Sequence, residues 1–578
     1  MKRLMLGNEA IARGAFEAGA TVMASYPGTP STEITEFAAK YDEIYAEWAP
    51  NEKVALEVAV GASVAGAKSM SCMKHVGLNV AADPLFTASY TGVNGGLVIC
   101  VADDPGMHSS QNEQDSRHYA RASKIPMLEP SDSSECKDYV KKAYEISEKF
   151  DTPVLIRLTT RIAHSQSLVE ECERQDASLK EYKKDAMKYV MMPAMARGRH
   201  VLVEKRTDDL IAIANTNEIN KIEYGDKKIG IIAAGDCYQY AKEACPCASF
   251  LKLGMVFPLP TDLIIEFSKN VDELYVIEEL DPIIENHVKA LGIEVHGKDK
   301  LSLLGEYSSE MIAEKIFGKE VAPFDKADEE TPMRPPVLCP GCPHRGMHYV
   351  LKKLGLRVCG DIGCYTLGAL APLQSLDTCL CMGGSVSMAH GMEMAGGREI
   401  AGKTVAIIGD STFMHSGITG LIDIVYNKGT STVIILDNSI TGMTGHQDNP
   451  TTGKTLKGEA TRQVDLEALC RACGIDHIKV ADPFDVDEFE KVVKEAVSKD
   501  EPSVIIAQRP CALLKSVKLT GLAVIDNEKC KKCKMCMKIG CPALSFREGQ
   551  VLVDSTLCNG CGLCMNICKF GAISKEEK

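Results

Sequence analysis

Two short apolar runs separated by a helical stretch form the clearest hydrophobic pattern in the middle of the chain. Val405–Ile408 ends at Gly409-Asp410-Ser411, and Thr432–Leu436 ends at Asp437-Asn438. Short runs rich in β-branched residues are typical of buried strands, so this segment predicts a β–α–β unit. The loops that follow two parallel strands meet at the same edge of a sheet. The polar residues at both strand ends are therefore expected to lie close together.

These strand ends carry oxygen donors of the kind that a hard divalent cation takes as ligands. Asp410 offers a carboxylate, Asn438 an amide oxygen and Ile440 a backbone carbonyl. Diphosphate oxygens and water would complete an octahedron around Mg²⁺, and Gly409 would let the backbone approach a phosphate closely. The alternative is an ordinary doubly wound domain with an aspartate at a strand end.

The second strong pattern is a cluster of eight cysteines in the last 50 residues of a chain that has 24 cysteines. Three cysteines two residues apart wrap one face of a [4Fe–4S] cluster, and a fourth reaches across to the other cluster. The spacing predicts one cluster on Cys530, Cys533, Cys536 and Cys568 and another on Cys558, Cys561, Cys564 and Cys541. A pair of zinc sites is the alternative, but such sites do not need the third closely spaced cysteine.

Net charge and hydropathy limit the partners and the cellular compartment expected for this protein. The net charge is -14, which gives no electrostatic support for a nucleic-acid partner. No apolar run reaches the roughly 18 residues that a membrane span needs. Glu9, Arg13 and Glu17 interrupt the first 20 residues, so we predict no export signal. The sequence thus favours a cytoplasmic protein with no membrane partner, whose cysteines bind metal clusters in a reducing environment.

Several segments carry a family resemblance. The pair GDS and DN is similar to the GDG…NN magnesium–diphosphate motif of thiamine-diphosphate enzymes, with Ser411 and Asp437 as departures. The flanking segments CPGCPH, GDIGC and TGMTGHQ begin at Cys339, Gly360 and Thr441. Together with YPGTPS near the start of the chain, they resemble the 2-oxoacid:ferredoxin oxidoreductases. The resemblance implies thiamine diphosphate and Mg²⁺ as cofactors, with Gly409, Asp410, Ser411, Asn438 and Ile440 around the diphosphate.

The same resemblance assigns candidate catalytic residues in the first part of the chain. Thr29, in YPGTPS, corresponds to a threonine that faces the 2-oxoacid. Thiamine chemistry needs a carboxylate that bonds N1′ of the pyrimidine, and Glu52 fits best, with Glu57 on the same helix as the rival. Either glutamate could instead be a solvated surface residue. His75 resembles a position that faces the substrate, although a lone histidine is more often structural.

A third cluster is a further expectation from the resemblance. In related enzymes the CPGC pair, the GDIGC cysteine and one later cysteine hold a [4Fe–4S] cluster beside the thiamine. The corresponding residues here are Cys339, Cys342, Cys364 and Cys511. The alternative is that these are buried structural thiols, which are common in protein cores.

The predicted fold class is α/β, with two thiamine-diphosphate-binding doubly wound domains, a transketolase C-terminal-like domain and a two-cluster ferredoxin module. The predicted boundaries are a pyrimidine domain at 1–180, a connector at 181–225, the transketolase-like domain at 226–320, a charged linker at 318–334, the diphosphate domain at 335–515 and the ferredoxin module at 520–578.

This domain order resembles the indolepyruvate-type branch of the family. The resemblance implies that aryl pyruvates are decarboxylated and oxidised with coenzyme A to acyl-CoA and carbon dioxide, and that ferredoxin is reduced. It also implies a smaller second subunit in a heterodimer or heterotetramer. Two alternatives stay open: a non-oxidative thiamine-dependent lyase, and an electron-relay subunit with a degenerate thiamine region.

Overall fold

The computed structural model describes residues 1–176, 178–216, 218–318 and 335–576. It divides into two compact units, Met1–Asp328 and Glu329–Lys578. The predicted linker at 318–334 lies, apart from Gly318, outside the described residues. Within the described ranges, no helix combines the length and the apolar character needed to cross a membrane. The finer domain boundaries remain predictions.

The first unit contains a seven-stranded sheet, a four-stranded sheet and a two-stranded pair. Its strands are β1 Lys2–Leu6, β2 Val22–Ser25, β3 Tyr45–Trp48, β4 Ser69–Lys74, β5 Leu97–Asp103, β6 Met127–Leu128, β7 Val154–Thr159, β8 Gln166–Glu170, β9 Lys221–Glu223, β10 Asp226–Ala234, β11 Ala248–Leu253, β12 Met255–Phe257 and β13 Glu273–Ile277. The apolar runs near 97–101, 229–234 and 274–278, which are typical of buried strands, form β5, β10 and β13.

Helices separate most of these strands. They are α1 Gly7–Glu17, α2 Thr32–Ala38, α3 Glu52–Val64, α4 His75–Val80, α5 Ala82–Thr91, α6 Arg117–Ser123, α7 Ser133–Phe150, α8 Thr160–His164, α9 Ala186–Tyr189, α10 Pro193–Ala214, α11 Gly235–Ala244, α12 Thr261–Ser268, α13 Ile283–Ala290 and α14 Ser309–Phe317. Every residue of β4, β5 and β7 is buried, as expected for strands of a parallel sheet with both faces covered.

The seven-stranded sheet has the order β12-β6-β7-β5-β4-β2-β3. Strands β2 to β7 pair in parallel, and β12 adds an antiparallel edge strand. The second sheet has the order β13-β10-β11-β9. The chain passes directly from β11 in the four-stranded sheet to β12 in the seven-stranded sheet. The two sheets are therefore connected within the predicted transketolase-like domain.

The predicted connector at 181–225 contains α10, which has 22 residues. The buried positions of α10 recur every three or four residues, and two of them are arginines, Arg199 and Arg206. Arg199 Nη2 donates to Asp151 Oδ2 at 2.7 Å, and Arg206 Nη1 donates to the Asp151 carbonyl at 2.8 Å. Partly buried hydrogen bonds therefore attach the helix to Asp151.

A buried ion pair in the first unit gives a stability prediction. Arg157 is buried, and its guanidinium lies 2.7 Å from Asp103 Oδ2 and 2.8 Å from Glu129 Oε1. Arg157→Met should cost about 3–5 kcal/mol because it leaves buried carboxylates without a counter-charge. The thermal unfolding midpoint should fall by roughly 5–10 °C. The control is Arg161→Met, which removes an exposed ion pair with Glu306 and should cost under about 1 kcal/mol; equal losses would contradict the interpretation.

The second unit is built on a six-stranded parallel sheet with the order β15-β14-β16-β17-β19-β18. The strands of the whole unit are β14 Arg357–Gly360, β15 Thr378–Cys379, β16 Thr404–Gly409, β17 Thr432–Asp437, β18 His477–Ala481, β19 Ser503–Gln508, β20 Leu522–Ile525, β21 Leu544–Arg547, β22 Gln550–Val553 and β23 Ile573–Glu576. The two strands predicted at 405–408 and 432–436 are confirmed as β16 and β17, which are neighbours.

The helices of this unit are α15 His344–Leu354, α16 Gly384–Ala401, α17 Asp410–Thr412, α18 Ile418–Tyr426, α19 Leu466–Ala472, α20 Val486–Ser498 and α21 Leu563–Ile567, with 3₁₀ turns at Cys364–Ala369 and Met535–Ile539 and a π-helical turn at Phe413–Gly417. The cysteine-rich tail forms two antiparallel pairs, β20 with β23 and β21 with β22. Its apolar residues, including Ile539 and Leu563, belong to the same core as Val350 and Ile505. The tail is therefore packed onto the parallel sheet.

Candidate functional site

Asp410 lies at the carboxyl end of β16 in the second unit and begins α17. Its side chain is buried, with 2% of the residue exposed. The Thr451 hydroxyl donates to Asp410 Oδ2 at 3.0 Å. Burial and the nearby Asp437 carboxylate raise the pKa of Asp410 to about 7. The protein alone stabilises the anion poorly, which is what a site completed by a bound cation would show.

Asn438 lies at the carboxyl end of the neighbouring strand β17. Its Oδ1 accepts from the Ile440 backbone N–H at 3.3 Å, across Ser439, which has a left-handed φ of 58°. Thr441 Oγ1 donates to Ser411 Oγ at 2.9 Å. The loops after β16 and β17 are thus joined directly, and the strand-end residues lie at one sheet edge.

Gly409 and Asp361 contribute to the local structure at this edge of the sheet. A Cβ on Gly409 would lie 3.0 Å from Cε1 of Tyr365, so the glycine makes room for this aromatic ring. Asp361, in the GDIGC segment, is fully buried. It accepts backbone N–H bonds from Gly383 and Ser385, both at 2.9 Å. Asp361 thereby fixes the start of α16, a structural role that its motif did not reveal.

The four cysteines considered for a third cluster lie near one another. Burial, with smaller contributions from the nearby Cys364 and Cys339, raises the pKa of Cys342 to about 12. Burial, with Cys511 and Cys339 nearby, raises the pKa of Cys364 to about 11. Burial and Cys339 likewise raise the pKa of Cys511. Cys339 therefore lies close enough to the other three thiols to affect their charge. Such a set of thiols is chemically suited to an iron–sulfur cluster.

Two of these cysteines adjoin the Asn438 loop. The Cys511 backbone N–H donates to the Asn438 carbonyl at 2.9 Å. A Cβ on Gly442 would lie 3.3 Å from Cys364 Sγ and 3.9 Å from Asn438 Nδ2. The cysteine set and the candidate cation site are thus adjacent within the second unit.

The eight cysteines of the tail surround two separate cavities. One cavity is lined by Cys541, Cys558, Cys561 and Cys564. The other cavity is lined by Cys530, Cys533, Cys536 and Cys568. The structure thereby groups the cysteines into the same two quartets as the spacing, including the exchange of the fourth cysteine. The Ala523 N–H donates to Cys558 Sγ at 3.4 Å, the kind of hydrogen bond that tunes a cluster potential.

Arg345 connects the CPGC loop with the first of these cavities. Its Nε donates to the Cys339 carbonyl at 3.0 Å, and its Nη1 donates to the Ile539 carbonyl at 2.9 Å, two residues before Cys541. Asn559 Nδ2 also donates to the Pro340 carbonyl at 2.9 Å. These contacts hold the CPGC loop against the tail, an arrangement that motif spacing could not predict.

The first unit has a second candidate site at the carboxyl ends of adjacent parallel strands. YPGTPS follows β2, Asn51 and Glu52 follow β3, Lys74 and His75 lie at the end of β4, and the polar loop 104–115 follows β5. These four strands are neighbours in the sheet. The carboxyl edge of a parallel sheet is the usual place for a ligand in such folds.

Glu52 and Glu57 differ sharply in environment although they lie on the same helix. Glu52 is the first residue of α3 and only 4% exposed. A Cβ on Gly77 would lie 2.6 Å from Glu52 Oε1, so this glycine provides the space that the carboxylate occupies. Glu57 is exposed and forms an ion pair with Lys53. Of the two glutamates, only Glu52 is a buried carboxylate at this sheet edge.

The substrate-facing candidates lie around the same edge. The Thr29 carbonyl accepts from Ser109 Oγ at 3.3 Å. His75 is buried with its Nε2 3.2 Å from the Asn112 carbonyl, and no described group forms a hydrogen bond with its Nδ1. Burial lowers the pKa of His75. Lys74, which the sequence did not single out, is also buried here.

Comparisons with known proteins agree with this organisation. Residues 13–229 match the family described as pyruvate flavodoxin/ferredoxin oxidoreductase, thiamine diP-binding. Residues 361–507 match the C-terminal TPP-binding domain of thiamine pyrophosphate enzymes. Residues 551–574 match the 4Fe-4S binding domain.

Full-length relatives decide the family. The indolepyruvate oxidoreductase subunit IorA of Archaeoglobus fulgidus is 41% identical, covering 99% of this chain and 97% of that protein. IorA of Pyrococcus horikoshii is 40% identical with the same two coverages. IorA of Methanothermobacter thermautotrophicus is 39% identical over 100% of this chain and 98% of its own length. The chain belongs to the IorA family.

Membership of the IorA family confirms the predicted family and fold class. The chain is a thiamine-diphosphate-dependent oxidoreductase with two thiamine-binding α/β regions and a C-terminal 4Fe-4S motif. A solved 2-oxoglutarate:ferredoxin oxidoreductase from Magnetococcus marinus is 17% identical with a TM-score of 0.48, covering 55% of this IorA-family chain and 65% of its own.

Proposed function

We propose that this chain is the catalytic subunit of a CoA-acylating indolepyruvate:ferredoxin oxidoreductase. It would act on aryl pyruvates such as indolepyruvate and phenylpyruvate. One 2-oxoacid anion, one coenzyme A thiol and two oxidised ferredoxins would give one acyl-CoA, one carbon dioxide, one proton and two reduced ferredoxins. The substrate class rests on the names of the IorA relatives.

The observation that carries the proposal is that the candidate cation site and the candidate cluster sites form a continuous series within the second unit. The candidate cation site at Asp410 and Asn438 adjoins Cys364 and Cys511. Through Arg345, the CPGC loop is held against a cavity lined by four cysteines, and the second quartet follows in the same tail. Such a series suits the removal of electrons one at a time, which a plain decarboxylase does not need.

The residues present fit thiamine diphosphate and Mg²⁺. Asp410, Asn438 and the Ile440 carbonyl would hold the cation, with Ser411 and Gly409 beside the diphosphate. The raised pKa of Asp410 supports this assignment, since a cation would stabilise its charged form. When bound, thiamine diphosphate supplies the nucleophilic carbon and the electron sink that decarboxylation of a 2-oxoacid requires.

The first unit would supply the groups that activate the cofactor and orient the substrate. Glu52 would hydrogen-bond N1′ of the pyrimidine from its buried position. Thr29 would face the 2-oxoacid, and Nδ1 of His75, which has no described partner, would be available to the substrate or the cofactor. Burial lowers the pKa of His75 and so favours the neutral ring, which would act as a hydrogen-bonding group.

We further propose three [4Fe–4S] clusters, two on the tail quartets and one on Cys339, Cys342, Cys364 and Cys511. Cys364→Ala should then lower the iron content of the anaerobically isolated protein from about 12 to about 8 atoms per chain. The control is Cys359→Ala, because Cys359 is a buried thiol five residues earlier. About 8 iron atoms in both wild type and Cys364→Ala would reduce the proposal to two clusters.

The expected assembly is cytoplasmic and contains a smaller second subunit in a heterodimer or heterotetramer. The experiment that tests the function is anaerobic purification with that subunit, followed by viologen or ferredoxin reduction over a panel of 2-oxoacids. Reduction should require both an aryl pyruvate and coenzyme A. Aldehyde release without reduction would instead identify a non-oxidative lyase, and absence of bound thiamine would identify an electron-relay subunit.

A further inference from the structure

Lys74 is a buried cation that has no direct ionic partner among the described residues. It is the last residue of β4, in the middle of the seven-stranded sheet, and only 9% of it is exposed. Its Nζ donates to the Ser109 carbonyl at 3.0 Å. Within the described ranges, no carboxylate oxygen lies within 4.0 Å of Nζ. Buried lysines are rare unless they are paired, so this arrangement calls for an explanation.

The neighbours of Lys74 are the segments that form the candidate substrate site. Its aliphatic stem passes close to Gly28, where an added Cβ would lie 3.3 Å from Lys74 Cγ. Ser109, which accepts from Nζ, also donates to the Thr29 carbonyl. His75 follows directly in the chain. The ammonium therefore lies between the YPGTPS turn and the 104–115 loop.

The carboxylates of the region do not neutralise Lys74 at close range. Burial lowers the pKa of Lys74, while Asp104 and Glu52 act on it only at a distance, in the opposite direction. Asp104 is already occupied: its Oδ2 accepts from the Ser109 N–H at 2.8 Å, and its Oδ1 accepts from Thr160 Oγ1 at 2.7 Å. An ammonium can donate three hydrogen bonds, and one acceptor is described.

We infer that Lys74 binds the carboxylate of the 2-oxoacid substrate. The position beside Thr29 and His75 favours a substrate carboxylate as the missing anion, and this inference rests on the proposed function. An arylpyruvate has one anionic group, and a charge-assisted hydrogen bond from a buried ammonium would orient it. The alternative is that Lys74 is structural and only fastens the loop at Ser109.

The chemistry predicts a specific kinetic signature for Lys74→Met. The substrate carboxylate loses its charge as carbon dioxide leaves, so Lys74 would stabilise the bound substrate at least as much as the transition state. The variant should therefore raise KM for phenylpyruvate about 10- to 100-fold, with kcat unchanged or higher. A loss of structure at Ser109 would instead lower kcat along with thermal stability.

The decisive experiment compares two unreactive analogues, 3-phenylpropionate and its neutral amide 3-phenylpropanamide, on the complete complex. Their inhibition constants would be measured against phenylpyruvate, and binding of each would be checked by calorimetry. Lys74→Met should weaken the carboxylate about 10- to 100-fold and change the amide less than about twofold. Lys74→Arg should restore part of the carboxylate affinity.

Lys53→Met is the control, because Lys53 is an exposed lysine on α3 that pairs with Glu57. It should leave both analogues unchanged. Equal weakening of acid and amide in Lys74→Met, or no weakening of either, would overturn the inference while leaving the proposed function standing. Failure of the wild-type complex to oxidise any 2-oxoacid would overturn the proposed function itself and is recognised in the same assay.

Discussion

Glu52→Gln should lower 2-oxoacid turnover by about 10³-fold or more and leave the iron–sulfur spectra unchanged. The magnitude is at the upper part of the range for removing an acid–base group, because the carboxylate would act on the cofactor in every cycle. Glutamine keeps the size and the hydrogen-bonding oxygen of the side chain but cannot transfer the proton to N1′. Steady-state viologen reduction and electron paramagnetic resonance of the reduced clusters measure the two effects.

Glu57→Gln is the matched control for this variant. Glu57 lies on the same helix, but it is exposed and paired with Lys53, so activity should stay within about twofold of wild type. Activity retained in Glu52→Gln and lost in Glu57→Gln would transfer the role to Glu57. Activity retained in both would remove this helix from the chemistry.

Asp410→Asn should abolish stable binding of thiamine diphosphate and lower turnover at least 100-fold, an effect of about 2.7 kcal/mol or more. The change removes the charged oxygen ligand of the cation but leaves the loop packing intact. The variant should not be less stable without cofactor, because burial raises the pKa of Asp410 to about 7 and a neutral amide avoids that cost. Calorimetry with thiamine diphosphate and Mg²⁺ measures the affinity, and the unfolding midpoint measures the stability.

The control for Asp410→Asn is Asp423→Asn on α18, since Asp423 is exposed and should affect neither quantity. Unchanged cofactor affinity in Asp410→Asn would contradict the assigned cation site. A large fall in stability together with lost binding would indicate that Asp410 only supports the fold.

The parts of the fold that the sequence predicted are those with a local physical signature. Apolar β-branched runs predicted β16 and β17, and the spacing of the tail cysteines predicted the two groups of four that line separate cavities. The sequence did not predict helix α10, because its buried face includes Arg199 and Arg206. The hydrophobic periodicity is therefore interrupted where the helix packs. Arginines that hydrogen-bond inside a protein cannot be told from surface arginines by sequence pattern alone.

The site was only partly predictable for a similar reason. The sequence favoured Glu52 but left Glu57 open as a rival, and the burial of Glu52 beside Gly77 distinguishes the two glutamates. In the sequence, Lys74 is an ordinary lysine at the end of a strand, and only the structure shows that it is buried. The Arg345 contacts join residues that are almost 200 positions apart, a distance over which neither periodicity nor motif spacing carries information.

The central claim is that electrons released from the substrate at the thiamine site pass into clusters of the same polypeptide. The most direct test mixes the anaerobic, oxidised complex with indolepyruvate and coenzyme A, without ferredoxin, and follows the clusters by freeze-quench electron paramagnetic resonance. Signals of reduced [4Fe–4S] clusters should appear within a single turnover and be lost in Glu52→Gln. Carbon dioxide and aldehyde released while the clusters stay oxidised would contradict the claim.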